Sequence, residues 1–244
     1  MAAIIELKEI NFSAQDRQVL HDISIEFAES QITAIIGPSG SGKSTVLKTC
    51  AGLMVPDSGE VLYKGRDIAL MSRSENLEFR KEAAFVFQDS ALWSNQDLYQ
   101  ILELPLRIHF PDMSKFQRAQ RIKEVAAEAG YKKDLNIRPS RLSMGEQKLI
   151  AFARAMLCNP SLLFLDEWVE SLDETSANKL IEVVKRKKKE GASVIFVCHD
   201  MRIIRDLADC VVVIVDGKEA FEGTKEELLN SPELSNFLKM EIAV

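Results

Sequence analysis

Long apolar runs are what this chain has least of. The longest, Cys210 to Val215, is six residues. A membrane-spanning helix needs about 20, so the chain is not expected to cross a bilayer by itself. Cysteine is scarce too. Cys50, Cys158, Cys198 and Cys210 are widely spaced, each among apolar residues. That spacing suggests neither a disulfide framework nor a zinc site, and buried free thiols in a reducing compartment are expected. Bases are short against acids, 31 to 37, for a formal net charge of −6. Such a surface is a poor general binder of nucleic acid, and no nucleic-acid partner is expected. The start, Met1-Ala2-Ala3-Ile4-Ile5-Glu6, has no basic flank and does not read as a secretory signal.

What is there suits a globular protein. The chain has 244 residues, 46% hydrophobic and 28% charged, enough for one large domain or a core with a lobe. Residues 4–12 and Val19–Phe27 alternate about a polar turn at Ala14–Arg17 and read as an antiparallel edge. Ile32–Ile36 reads as a buried strand, Gly37–Gly42 as a loop and Lys43–Ala51 as a helix, together a βα unit of a parallel sheet. Glu60–Tyr63 and Ala84–Phe87 read as short strands, while residues 66–82 are charged and mixed. Between Asp89 and Arg141 the pattern turns helical, interrupted by Pro105, Pro111 and Gly130, with Leu98–Leu106, Phe116–Ala129 and the segment between them expected as helix. Strands at Leu162–Leu165, Ser193–Cys198 and Val211–Val215 then alternate with helices at Gly145–Cys158, Thr175–Glu190 and Arg202–Ala208. This is an α/β pattern, with helices expected on both faces of the sheet.

Two segments carry chemistry. Gly37-Pro38-Ser39-Gly40-Ser41-Gly42-Lys43-Ser44 fits G-x-x-x-x-G-K-[ST] completely. Glycines let successive backbone N–H groups turn around phosphate oxygens, and the helix that follows points its positive end at the same anion. Lys43 is placed to neutralise β- and γ-phosphates, Ser44 to offer a hydroxyl to Mg²⁺, and Thr45 to bond a phosphate oxygen. The second segment is Leu162-Leu163-Phe164-Leu165-Asp166-Glu167, an apolar strand ending in two carboxylates. In a parallel sheet such an end lies beside the phosphate loop. Asp166 is then placed to hold the hydrated metal and Glu167 to orient or deprotonate water. Two adjacent carboxylates at a dry strand end repel unless a cation is near.

With these motifs the chain resembles the nucleotide-binding subunits of ABC transporters, over about residues 4–240. Phe87-Gln88 resembles the Q-loop, Leu142-Ser143-Met144-Gly145-Glu146-Gln147 the ABC signature, Ser171-Leu172-Asp173 the D-loop, and His199-Asp200 the switch histidine with its neighbour. The resemblance implies a P-loop NTPase (RecA-like) core with an antiparallel β edge subdomain and an inserted helical lobe. It implies one ATPase domain over 1–244, a helical subdomain at 89–145 and a C-terminal helical tail at 224–244. It also implies ATP and Mg²⁺ as ligands, with metal held by Ser44, Gln88 and Asp166. Two copies would pair head to tail, so that Ser143 and Gly145 of one copy touch the γ-phosphate held by the other; Asp173 would join that nucleotide interface. Gln88 would contact metal and water, and His199 would contact the γ-phosphate and help hold Glu167. Membrane permease subunits would be the partners, with the chain on the cytoplasmic face of the membrane through them.

Three positions depart from the family's pattern. Met144 stands where a glycine is usual, and Trp168 where proline usually follows the glutamate. Trp168 is expected to pack, in the core or at the dimer interface. The aromatic residue that commonly stacks on adenine falls on Ala14, while Phe12 shares that strand face and is expected in the core.

The run Gln88-Asp89-Ser90-Ala91-Leu92-Trp93 and the later Pro105-Leu106-Arg107 resemble the ATPases of Mla- and Mce-type lipid transport systems, as does Ser231-Pro232-Glu233-Leu234 to Phe237-Leu238. ATPases of amino-acid importers, lipoprotein-release systems and peptide exporters share the same core and stay open. Leu92, Trp93, Leu98 and Tyr99 are candidates for a groove that takes a coupling helix, or for filling of the helical lobe. Lys185-Arg186-Lys187-Lys188-Lys189 reads as a solvated helix end. ABC-type proteins of DNA repair or translation usually carry coiled-coil insertions or two cassettes, absent from these 244 residues. A regulatory ATP-binding module that does not hydrolyse is the third class, opposed by intact Lys43, Asp166, Glu167 and His199.

Overall fold

A computed structural model describes residues 2–230 of the chain. The tail motif from Ser231 to Leu238 lies outside the described residues. Strands β1 (Ala3–Ala14) and β2 (Arg17–Ala28) pair antiparallel. They turn at Gln15-Asp16, both at positive φ, 51° and 59°. Turns of that hand match the twist of the flanking strands. Strand β3 (Ile32–Ile36) leads through the glycine loop into helix α1 (Lys43–Cys50). Strand β4 (Ser58–Tyr63) pairs with β1 and carries the short β5 (Arg66–Asp67), completing a four-stranded sheet in the order β2-β1-β4-β5.

Helix α2 (Arg73–Glu82) lies where the sequence shows no clear element. Its residues bury only Phe79, too little for an apolar stripe. A capping box starts it, with Glu75 N–H donating to Ser72 Oγ and Ser72 N–H to Glu75 Oε2 at 2.9 Å. Strand β6 (Ala83–Val86) follows directly. Helix α3 (Leu98–His109) runs through Pro105 instead of stopping at it. Its Asp97–Gln100 capping box and its buried face of Leu98, Ile101, Leu102 and Leu106 outweigh one missing N–H. The segment after it, 110–114, is turn and not helix, and α4 (Lys115–Glu128) begins beyond it.

Helix α5 (Met144–Met156) leads to strand β7 (Leu162–Asp166), then α6 (Glu174–Lys189), β8 (Ser193–Val197), α7 (Met201–Leu207) and β9 (Cys210–Val215). Strand β10 (Lys218–Thr224) turns back antiparallel onto β9 before α8 (Lys225–Asn230). The sequence does not announce β10, because none of its residues is buried and it shows no apolar alternation. The main sheet has the order β10-β9-β3-β8-β7-β6, parallel except for β10.

Alternate residues of the central strands face two different cores. Ile32, Ala34, Ile36, Leu163, Leu165, Val194 and Phe196 pack against α3 to α7. Ile35, Leu162, Phe164, Ile195 and Val197 pack against α1, Phe79 of α2 and the four-stranded sheet. The second face is thus shared by helices and an antiparallel sheet. Each fully buried Leu or Phe here contributes roughly 1.5–3 kcal/mol. Parallel pairing sets Asp166 beside Val197 at the strand ends, next to the loop that leaves Ile36. Crevices at that end of an open α/β sheet are where ligands bind.

The basic run is not a free solvated end. Lys187 is buried and donates to Asn159 and Glu190; Lys185 pairs with Asp206, Arg186 with Glu128 and Lys188 with Asp209. All four cysteines are free, with Cys50 and Cys198 buried and Cys158 and Cys210 partly so.

Candidate nucleotide site

The glycine loop turns because its glycines take conformations other residues avoid: φ is 146° at Gly37, 76° at Gly40 and 102° at Gly42. Gly42 is the N-cap of α1, and no side chain caps the helix there. The leading N–H groups of α1 are left to an external acceptor, as an anion site requires. Lys43 is buried at the helix start, and its Nζ donates to the carbonyls of Gly37 at 3.0 Å and Pro38 at 2.6 Å. Burial pushes its pKa down, while Glu167 and Asp166 pull it up. Ser39 and Gly40 are exposed at the loop's crest, and Ser41 is buried with its hydroxyl unpaired.

Ser44 Oγ donates to Asp166 Oδ1 at 2.8 Å. Asp166 is fully buried, and its Oδ2 has no hydrogen-bond partner; the nearest cation is Lys48 Nζ at 3.9 Å. Glu167 follows with φ at 45°, unusual for a residue with a side chain. It is 7% exposed. Burial raises its pKa to about 7, helped by the charges of Glu170 and Asp166 and opposed by Lys43 and Lys148. His199, at the end of β8, sets Nε2 2.9 Å from Glu167 Oε1. Oε1 is otherwise buried and makes no hydrogen bond. Burial and Lys43 lower the His199 pKa, opposed by Glu170.

Gln88 is exposed and rims a cleft of about 570 Å³ with Lys48, Asp89, Lys148, Glu170 and Ser171. Lys43, Ser44, Asp166, Glu167 and His199 therefore converge, while Gln88 lines the cleft that also holds Lys48 and Lys148. Ser143 and Gly145 are engaged elsewhere. Ser143 caps α5 through Glu146, and a Cβ on Gly145 would lie 3.2 Å from Ser171 O. Asp173 caps α6, accepting from Ser176 N–H and Oγ, and those bonds hold its pKa low. Thr45 is half-buried on the first turn of α1. Sequence reasoning missed Lys48 and Lys148. The signal for Lys148 was its place in a stripe with Phe152 and Ala155 on the buried side of α5.

Residues 20–170 match the ABC transporter family. The chain belongs to that family. It is an ATPase of the ABC type, an enzyme that binds and hydrolyses ATP. Among its relatives is the intermembrane phospholipid transport system ATP-binding protein MlaF of Haemophilus influenzae, 33% identical over 98% of this chain and 91% of the relative. The octopine permease ATP-binding protein P of Rhizobium radiobacter is 31% identical over 96% of this chain and 92% of the relative. In structure the chain is similar to the ATP-binding cassette MJ0796, a dimer in a post-hydrolysis state bound to ADP and Pi. The TM-score is 0.84 at 28% identity, covering 90% of this chain and 98% of that one.

The departures from the ABC pattern are local. Trp168 is fully buried and stacks on Phe152 of α5, with ring centroids 5.8 Å apart at 23°. Met144 is 71% exposed. Phe12 packs against the core beside the four-stranded sheet, and Ala14 is exposed.

Proposed function

We propose that this ABC ATPase powers a transporter of phospholipid, bound to membrane permease subunits and working as a head-to-tail pair of copies. The convergence of Lys43, Ser44, Asp166, Glu167 and His199 around an uncapped helix start carries the hydrolytic part. The phospholipid part is supported by likeness to MlaF along nearly the whole chain. The N–H groups of the loop and Lys43 bind the phosphates. Glu167 takes the proton from the attacking water, a task matched by a pKa near 7. His199 donates to the γ-phosphate, and Gln88 orients water from the cleft mouth. Ser143 and Gly145, at the N-terminus of α5, meet the ATP held by the partner copy.

The residues present fit Mg²⁺. Ser44, Asp166 and Gln88 offer hard oxygen donors, and the buried Oδ2 of Asp166 has no hydrogen-bond partner, with Lys48 Nζ only at 3.9 Å. When bound, Mg²⁺ neutralises charge on the β- and γ-phosphates.

Among the described residues no helix is long and apolar enough to cross a membrane. Membrane attachment then passes through the permease. Leu98 is fully buried and Leu92 and Tyr99 pack on the same core, so these three fill the helical region. Trp93 is different. It is 44% exposed, with the Arg154 guanidinium 5.7 Å from its ring centroid. Trp93→Ala is expected to lower recovery of the permease in pull-downs by about 10-fold, as loss of an aromatic anchor does. Its melting temperature should stay within about 2 °C of wild type. Equal recovery of the permease would remove Trp93 from the docking surface.

The cargo is tested by purifying the ATPase with its membrane partner in detergent and identifying the molecules that accompany the complex. Phospholipid in stoichiometric amount supports the proposal. An amino acid or opine instead would support the second reading, an importer like that of the octopine permease relative.

A further inference from the structure

Lys148 is 4% exposed, on the side of α5 that faces the core. Its Nζ donates to the backbone carbonyl of Glu167 at 2.7 Å in a buried setting. A buried ammonium carries a desolvation penalty of several kcal/mol unless its partners offset it. Methionine would fill the same stripe without that penalty, so the charge itself needs a reason. The carbonyl it bonds belongs to a residue with φ at 45°. Such a conformation costs of order 1–3 kcal/mol and persists only where the surroundings hold it. Three hydrogen bonds hold it here: Glu167 N–H to Val197 O at 3.1 Å, Glu170 N–H to Glu167 O at 3.3 Å, and Lys148. Only the Lys148 bond comes from a helix. One turn along α5, Phe152 stacks on Trp168, so the helix grips consecutive residues of the turn.

We propose that Lys148 is a positioning residue for ATP hydrolysis, holding the left-handed turn at Glu167 and so aiming its carboxylate. The inference rests on Glu167 as the base that activates water. It also gives α5 a second task. The helix that begins beside Ser143 is tied to the glutamate of its own chain, so displacement of its N-terminus reaches that carboxylate through Lys148 and Trp168.

Full-length Lys148→Met, Lys148→Gln and Lys148→Arg are compared with wild type for kcat and KM of Mg-ATP hydrolysis, and for affinity of a fluorescent ATP analogue. Met and Gln are expected to lower kcat by about 10–100-fold, since small misplacement of a reacting group has that effect, with KM and analogue affinity within about 2-fold. Arg keeps a charged donor and should restore kcat to within about 3-fold of wild type. Two neutral variants guard against one failing to fold. A folded Met or Gln variant with wild-type kcat overturns the proposal. So does a parallel loss of analogue affinity, which would mean that Lys148 meets the phosphates directly, or an Arg variant as slow as Met. Glu167→Gln is run alongside. If it keeps wild-type turnover, the assignment of the base fails on its own account. If it stops turnover while Lys148→Met does not, only the positioning role falls.

Discussion

Glu167→Gln is expected to lower ATP turnover by about 10²–10⁴-fold, the range that a positioned general base contributes. The amide keeps the shape of the carboxylate but cannot take a proton from water. Binding of ATP should survive, because the loop, Lys43 and Ser44 are untouched. An ATP-bound dimer should therefore accumulate and elute earlier than the monomer in Mg-ATP. Turnover at the wild-type rate would move the base elsewhere. The same substitution has a stability signature in the nucleotide-free protein. Glu167 has its folded-state pKa raised to about 7, burial being the main cause. A carboxyl shifted upward contributes stability below its ordinary pKa near 4.5, and loses it as pH rises through the folded value. Above pH 7 the wild-type protein thus carries a charged, desolvated group at a cost of about 3 kcal/mol. Glutamine never carries it. Glu167→Gln should melt higher than wild type at pH 8, by roughly 4–10 °C, and the gap should close near pH 5. A gap that does not change with pH would contradict the raised pKa.

Gly37→Ala is expected to destabilise the fold by about 2–4 kcal/mol, from backbone strain and overpacking together. A Cβ there would lie 2.0 Å from the carbonyl oxygen of Ile214, on β9, and φ is 146°. The Ile214 carbonyl is backbone and does not yield cheaply, while Ser41 Oγ at 3.1 Å is the lesser contact. Melting should fall by roughly 5–15 °C. Gly40→Ala is the control in the same loop, with φ at 76° but no atom within 4 Å of the added carbon. It should cost only about 1–2 kcal/mol, the backbone strain alone. Equal melting temperatures for the two variants would show that the approach to Ile214 does not constrain the loop.

The parts of the site that the residues themselves announced are those whose chemistry is covalently local, whereas Gln88 and His199 were reached only through the family resemblance. The phosphate loop needs its glycines, lysine and serine within eight consecutive residues, because one turn of backbone wraps one anion. Asp166 and Glu167 were legible for the same reason, directly following four apolar residues of a strand, Leu162–Leu165. Elements with weak apolar patterns were not legible. Helix α2 buries Phe79 alone, and β10 none of its residues. Pro105 misled in the other direction, since a strong N-terminal cap and four buried apolar residues carried α3 through it.

Residue identity and spacing pointed to Gly37–Ser44 as the phosphate loop and to two carboxylates at a strand end beside it. Which groups surround those carboxylates depended on pairing between distant strands and helices. His199 reaches Glu167 because β8 lies parallel to β7, and Lys148 reaches it because α5 packs on that face of the sheet. Trp168 became a core residue because Phe152 offers it a stacking partner. Hydrophobic periodicity says which side of an element is buried, but not against what. The partner is chosen by sheet order and packing, and these depend on the chain as a whole.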